Sequence, residues 1–160
     1  MARRLRPVEL DFVESAPLRL VFSAELSASP QAVYEALAED VPGWTSWFTA
    51  VSSATPTHGG AGREIRLKGG VLFLETILAT DPGERYAYRV DETNAPGLRA
   101  LLEEWRITPA ANGTRVQWTF AADAPAPMLA VLKLGRSGLA MSFRGAVRSL
   151  DHRLTRSAAQ

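Results

Sequence analysis

The chain has no cysteine among its 160 residues. Disulfides, thiolate metal sites and cysteine nucleophiles are therefore excluded together. It also has almost no excess of charge, since 18 basic and 17 acidic residues leave a net +1. That balance calls for neither nucleic acid nor a strongly charged partner surface. No apolar run approaches the ~20 residues of a membrane span, so stable membrane insertion is not expected. Arg3, Arg4 and Arg6 are followed by no apolar stretch of signal-peptide kind, and a cytoplasmic location is the default expectation. Histidine is scarce: His58 lies in a glycine-rich turn and His152 near the C-terminus. Neither has a partner at metal-ligand spacing, and both are expected to face solvent. No metal and no cofactor are expected.

The chain carries a hydrophobic fraction of 46% and a charged fraction of 22%, ordinary for a globular chain of this length. The longest segment without a strong breaker runs from Ala126 to Arg156. At helical spacing Leu129, Leu132, Leu139, Phe143, Val147, Leu150 and Leu154 fall near one face, and most of the arginines lie off it. Pro125 and Pro127 suit a helix entrance. Such a helix is roughly 40 Å long at ~1.5 Å per residue. Gly135 and Gly138 interrupt it, each costing ~1 kcal/mol relative to Ala. They mark either close packing with a local bend or a helix standing off its support.

Ahead of that helix the pattern is mostly strands. Leu18–Leu26 alternates apolar and polar residues. Ser29 and Pro30 suit the N-cap and first position of a short helix. Trp44, Trp47 and Phe48 form a dense aromatic turn, and Gly69-Gly70 and Asn112-Gly113 are hairpin signals. Six further strands are expected over residues 50–55, 63–68, 71–80, 85–91, 99–108 and 114–122. Residues 1–17 read as a loose, solvated lead-in to a single domain spanning 18–157.

Several short motifs carry a resemblance. They are Ser29-Pro30 with Val33-Tyr34, Trp44 with Trp47-Phe48, Gly60-Ala61-Gly62-Arg63, Glu75 followed by Asp81-Pro82 and Arg85-Tyr86-Ala87-Tyr88, and Gly113-Thr114-Arg115-Val116. In this order and spacing they resemble the polyketide cyclase/dehydrase branch of the SRPBCC superfamily. That superfamily includes START-like and birch-pollen-allergen-like (Bet v 1-like) proteins and plant abscisic-acid receptors. The resemblance implies an α+β helix-grip fold: a seven-stranded curved antiparallel sheet around a long C-terminal helix, with two short helices after the first strand. It also implies a hydrophobic cavity between sheet and helix. Within that frame Glu75 resembles the inward-facing acid of the abscisic-acid receptors, and Gly69-Gly70 lies where those receptors carry a gate loop.

Glu75 sits in an otherwise apolar strand. If Phe73 and Ile77 face inward, Glu75 does too, and a buried carboxylate needs a partner or a raised pKa. Arg63, in phase with Ile65, is the best-placed partner. The opposite phase puts Glu75 on the surface. Glu103, in phase with Trp105, is a second acid. Tyr86, Tyr88, Trp105, Trp118 and Phe120 form an aromatic set at strand spacing, and core and cavity wall are one surface in this fold. The cavity is expected to be lined by Phe73, Tyr88, Trp105, Trp118 and Phe143, and Trp47, Phe48, Arg63, Ile65, Glu75 and Tyr86 complete the expected ligand-binding set. Glu75, Glu103 and Tyr88 are the candidates for acid–base chemistry. Two functions remain open: a binding protein for a hydrophobic or aromatic small molecule, lipid- or polyketide-like, and a polyketide cyclase, aromatase or dehydrase. Apolar walls are better marked than an acid–base pair, which favours binding. Oligomeric state is not written in the sequence.

Overall fold

Alternation at Leu18–Leu26 produces the first long strand, and its apolar phase, Leu18, Leu20 and Phe22, is buried. Similar patterns repeat along the chain. In the computed structural model, which describes residues 1–159, the strands are β1 (Arg3–Arg4), β2 (Leu18–Leu26), β3 (Val51–Thr57), β4 (Gly62–Leu67), β5 (Leu72–Asp81), β6 (Arg85–Thr93), β7 (Ala100–Ala110) and β8 (Gly113–Asp123). The helices are α1 (Phe12–Ser15), α2 (Pro30–Tyr34), α3 (Ala126–Leu134) and α4 (Arg136–Ala158). The seven long strands form one antiparallel sheet in the order β2-β8-β7-β6-β5-β4-β3. Its inner face wraps α4, through Phe143, Ala146, Val147 and Leu150. This is the helix-grip architecture.

The connection from β2 to β3 crosses between the two edges of the sheet. Ser29 caps α2, its hydroxyl accepting from the Ala32 N–H at 3.2 Å, with Pro30 in the first turn. The chain continues as a π-helical turn (Glu35–Glu39) and a 3-10 turn (Pro42–Ser46) that buries Trp44. The β7–β8 hairpin turns on Ala111 and Asn112, with Ala110 opposite Gly113. Gly113 is therefore a strand residue, and both its φ of 150° and a close approach call for glycine. A Cβ there would lie 2.1 Å from the Leu26 carbonyl oxygen. At Gly69 and Gly70 the tight β4–β5 turn does require left-handed backbone, with φ of 98° and 97°.

Two expectations change. Residues 1–17 are not a loose lead-in. β1 pairs with the end of β6, Arg3 opposite Thr93 and Arg4 opposite Glu92. Arg3 donates to the carbonyls of Leu98 and Ala95, both at 2.8 Å. Val8, Phe12 and Val13 then cover Ala100, Leu102 and Ala121 on the outer face of the sheet. The physical reason is that this outer patch is apolar where an exposed face would be polar, so it needs a cover.

The C-terminal helix is not continuous either. It breaks at Gly135, which has φ −79° and ψ 2° and separates α3 from α4. A Cβ on Gly138 would meet nothing within 4 Å, so close packing does not explain that glycine. The start of α4 is pinned to β2: Arg136 donates to the Val21 carbonyl at 2.9 Å, its guanidinium 4.8 Å from the Phe22 ring centroid. Farther along, the Asp151 carboxylate accepts from the backbone N–H groups of Ser27 (2.9 Å) and Ala28 (3.1 Å). α3 buries no residue fully and leaves Val131 and Leu134 exposed.

The ordered N-terminal segment makes a test possible. Phe12→Ala is expected to lower the stability to chemical denaturation by roughly 3 kcal/mol, the usual cost of emptying a buried Phe site. A solvated lead-in predicts a change within about 0.5 kcal/mol, as for an exposed side chain.

Candidate functional site

A cavity of about 220 Å³ lies between the inner face of the sheet, the aromatic 3-10 turn and α4. Strand phase brings the sheet residues to it: Arg63, Ile65 and Leu67 from β4, Phe73 from β5, Tyr88 from β6, Glu103 from β7, and Trp118 and Phe120 from β8. Trp44 and Phe48 close one side, their rings parallel within 8° and 5.9 Å apart. Leu139 and Ser142 reach it from α4, on the turn just before buried Phe143. The wall is mainly aromatic and aliphatic, with a few polar groups, the usual make-up of a small-molecule pocket.

Five residues expected at the site lie behind that wall. Trp105 is packed solid, stacked on Trp118 at 5.7 Å, its indole N–H donating to the Tyr88 hydroxyl at 3.2 Å. Phe143 lies against the other side of Trp118, with ring centroids 5.8 Å apart. Trp47 fills the core beside Trp44 at 4.6 Å. Tyr86 borders a separate crevice of about 130 Å³ with Ile77 and Val41. Glu75 is buried beneath Arg63 and does not line the cavity. The aromatic stack is thus core for one half of its rings and wall for the other. Phe48, Arg63, Ile65, Phe73, Tyr88 and Trp118 do line the cavity, as does Glu103. The expected set left out Trp44, Ala50, Val51, Leu67, Phe120, Leu139 and Ser142. Leu67 was readable, because it shares the inward phase of Ile65; Ser142 carries no signal of its own.

The electrostatic centre is Arg63 with Glu75. The two are cross-strand partners on β4 and β5, and the Arg63 Nε–H donates to Glu75 Oε2 in a close ion pair. Both side chains are 2% exposed. Glu75 pairs with Arg63 in the regular β4–β5 register, and on its other side a register shift that skips Asp91 of β6 brings it opposite Val90. Aromatic faces support the cation: its Cζ lies 3.9 Å from the Tyr88 centroid and 4.4 Å from that of Trp44. Burial works against the charged guanidinium, but Glu75 and the two tyrosines outweigh it and hold Arg63 above its ordinary range. Burial raises the Glu75 pKa, and Arg63 opposes that rise. The direct contact with a guanidinium, which keeps its proton in proteins, makes Glu75 the ionised acid of the site.

Glu103 is the other acid. It sits opposite Tyr88 and Phe120 in the sheet register, and its Oε1 accepts from the Trp118 indole N–H at 2.9 Å. Burial pushes its pKa up to about 8, repulsion from Glu75 adds to this, and Arg63, Trp118 and Tyr88 pull back in part. Glu103 is therefore a protonated carboxylic acid at neutral pH. Tyr88 stays neutral, raised well above its usual value by burial and then by Glu103. Arg63 Nη1 is buried and has no hydrogen-bond partner among the described residues. No grouping of three or more potential metal-ligating residues occurs among those residues.

A helix-grip domain with a largely apolar, partly open cavity and a buried polar centre defines a recognisable class, and comparison with known proteins agrees. The family model described as polyketide cyclase/dehydrase and lipid transport matches residues 17–155. The chain belongs to that family, and the SRPBCC resemblance read from its motifs holds. An uncharacterized protein of Mycobacterium tuberculosis is 28% identical over 148 residues, covering 89% of this chain and 88% of its own. A Mycobacterium bovis protein matches to the same extent. Among solved structures, XoxI from Bacillus cereus superposes with a TM-score of 0.70 at 15% identity, over 86% of this chain and 95% of its own. A START superfamily protein from Mycobacterium smegmatis gives 0.60 at 13% identity, over 79% and 96%. These two speak to the fold. No helix among the described residues is long and apolar enough to cross a membrane.

Two stability predictions follow from the charges. Glu75→Gln leaves Arg63 buried without its counter-charge and is expected to cost on the order of 3 kcal/mol in denaturant unfolding. Glu103 acts through pH. The folded protein keeps the Glu103 proton up to about 8, while an unfolded glutamate releases it near 4.5. Folding therefore binds a proton in that window, and stability is lost as pH rises through it. Relative to Glu103→Gln, wild type should lose a few kcal/mol between about pH 5 and pH 9, since one pKa unit is worth about 1.4 kcal/mol. Parallel pH–stability curves for the two proteins would contradict a protonated Glu103.

Proposed function

We propose that this protein binds a small hydrophobic or aromatic molecule in the cavity between sheet and α4. The observation that carries this reading is the apolar wall of Phe48, Ile65, Phe73, Trp118, Phe120 and Leu139 around about 220 Å³ of partly open space. That space equals roughly seven water volumes at ~30 Å³ each, enough for a substituted single ring. A longer polyketide- or lipid-like chain needs the cavity to widen.

A second reading, a cyclase or dehydrase, has one observation in its favour. Glu103 lines the cavity as a protonated acid, opposite Tyr88, and such a group can deliver a proton to a bound carbonyl. Glu75, paired with Arg63 and away from the wall, would position Arg63 and take no proton itself.

The binding reading is tested with toluene as the probe. Titration followed by backbone amide NMR should shift resonances around Phe73, Trp118, Leu139 and Ser142. Leu139→Trp places a larger ring in the cavity and should weaken toluene binding at least tenfold, with thermal unfolding confirming that the variant is folded. Unchanged affinity in a folded Leu139→Trp variant would place binding elsewhere. For the second reading, turnover of an aromatic polyketide precursor that is lost in Glu103→Gln while binding persists would make this an enzyme.

A further inference from the structure

The chain is nearly neutral as a whole, but its charges are unevenly placed. Between Asp123 and Asp151 there is no acidic residue, while Lys133, Arg136, Arg144 and Arg148 all fall there and all are exposed. The exposed apolar side chains gather in the same stretch. Apart from the terminal Met1, the exposed large hydrophobic residues are Val131 at 58%, Leu134 at 85% and Met141 at 71%. Their clustering sets them apart from the scattered single residues of an ordinary surface. They also share a face. Val131, Leu134, Gly138, Met141 and Gly145 recur at alternating steps of three and four, on the far side of the helix from buried Phe143, Val147 and Leu150. The break at Gly135 does not interrupt this stripe. The Gly135 N–H donates to the Val131 carbonyl at 2.9 Å, and the Leu139 N–H donates to the Gly135 carbonyl at 3.1 Å.

We infer that the outer face of α3 and the first half of α4 docks on an anionic phospholipid surface, with Val131, Leu134 and Met141 entering the headgroup layer and Lys133, Arg144 and Arg148 meeting the phosphates around them. The helix lies in the plane of the interface and does not span it, and the docking does not depend on what fills the cavity. Charge selects the occupant. A second copy joined by a two-fold axis would present the same face, setting Lys133, Arg144 and Arg148 against their own like charges. An anionic lipid surface complements every one of them. Shape agrees with this. A Cβ on Gly138 or Gly145 would meet nothing within 4 Å, so the three apolar side chains stand clear of a single convex helix. Such side chains can enter a fluid headgroup layer, which needs no fixed complementary pocket.

A crevice of about 170 Å³ on the flank of this face supplies a place for a headgroup phosphate. It lies between the start of α4 and β2, an edge strand of the sheet, and Arg136 and Arg144 are its only charged lining groups. Ser23 adds a hydroxyl. Arg136 spends one N–H on the Val21 carbonyl, which fixes the side chain over the Phe22 ring. A guanidinium has five N–H donors, so others remain for a phosphate oxygen. The face stops short of the last turns of α4. There Glu35, Glu39 and Asp40 border the surface groove beside Arg153, and Arg153 is already paired with Asp40.

Co-sedimentation of the intact chain with lipid vesicles tests the docking face. Vesicles of phosphatidylcholine containing about one-third phosphatidylglycerol are compared with vesicles of phosphatidylcholine alone. Wild type is expected to partition onto the anionic vesicles roughly tenfold or more tightly, and to lose most of that preference in about 0.5 M salt. Leu134→Asp with Met141→Asp should lower binding at least tenfold, with thermal unfolding showing that the variant is folded. Arg144→Ser with Arg148→Ser should remove most of the preference for anionic lipid. Equal binding to the two kinds of vesicle, or unchanged binding by the folded Leu134→Asp/Met141→Asp variant, would overturn the proposal. Inorganic phosphate that shifts amide resonances around Arg136 and Arg144, in a protein that ignores anionic vesicles, would reduce the crevice to an ion site and overturn the docking. A dimer in analytical ultracentrifugation that the Leu134→Asp/Met141→Asp variant cannot form, again without vesicle binding, would give the face to a second copy instead.

Discussion

The buried pair of Arg63 and Glu75 is the interaction on which the site depends. Taking two such charges out of water is costly, and their attraction alone often fails to compensate. Here the pair is helped by its surroundings. The strand register places the two side chains opposite each other, and the faces of Tyr88 and Trp44 lie against the cation. The arrangement leaves one arm of Arg63 free, and its field is largely cancelled by Glu75. Glu103, buried nearby without a cation of its own, then keeps its proton. Burial, with Glu75 adding to it, keeps that proton, so a neutralised ion pair and a neutral acid set the charge of the site at neutral pH.

The fold explains why that polar centre has a cavity beside it. α4 is fixed at its start by Arg136 on Val21 and farther along by Asp151 on Ser27 and Ala28. Its fully buried residues begin at Phe143. Before that point Leu139 and Ser142 only approach the sheet, and the helix ends in a break at Gly135. The Trp118 ring marks the boundary, with Phe143 stacked on it at the packed end and the cavity against it at the other. A larger groove, about 520 Å³, lies on the surface between α2 and the end of α4. Its rim carries the exposed acids Glu35, Glu39 and Asp40. Its openness to water and its acids make it a poor home for an apolar ligand.

Much of the architecture was legible because strand alternation and turn residues act locally. β2 runs over Leu18–Leu26 as its alternation predicts, and Ser29 caps α2. The inward phase of Glu75 was one of two possibilities, and the outcome depended on its cross-strand neighbour Arg63. What the pattern could not supply is three-dimensional. Trp105 follows the same inward strand phase as Trp118, and Phe143 the inward face of α4, yet both pack into solid core. Periodicity reports which face a residue takes, and the distance between helix and sheet at that level decides whether it meets a void. The N-terminal segment was missed for a related reason. Its apolar residues Val8, Phe12 and Val13 are too sparse for a periodic signal, and their partners Ala100, Leu102 and Ala121 lie far away in sequence.

The central claim is that an ionised Glu75 sits on Arg63 behind the cavity wall and that Glu103, at the wall, is protonated. Carbon-13 NMR of the glutamate side-chain carboxyls, assigned through Glu75→Gln and Glu103→Gln and followed across the pH range, reads both charges directly. The account predicts that the Glu103 resonance moves with a midpoint near about 8, and that Glu75 already has the shift of a carboxylate at pH 7. A Glu103 midpoint in the ordinary carboxylate range near 4.3, or a Glu75 still protonated at pH 7, would contradict it.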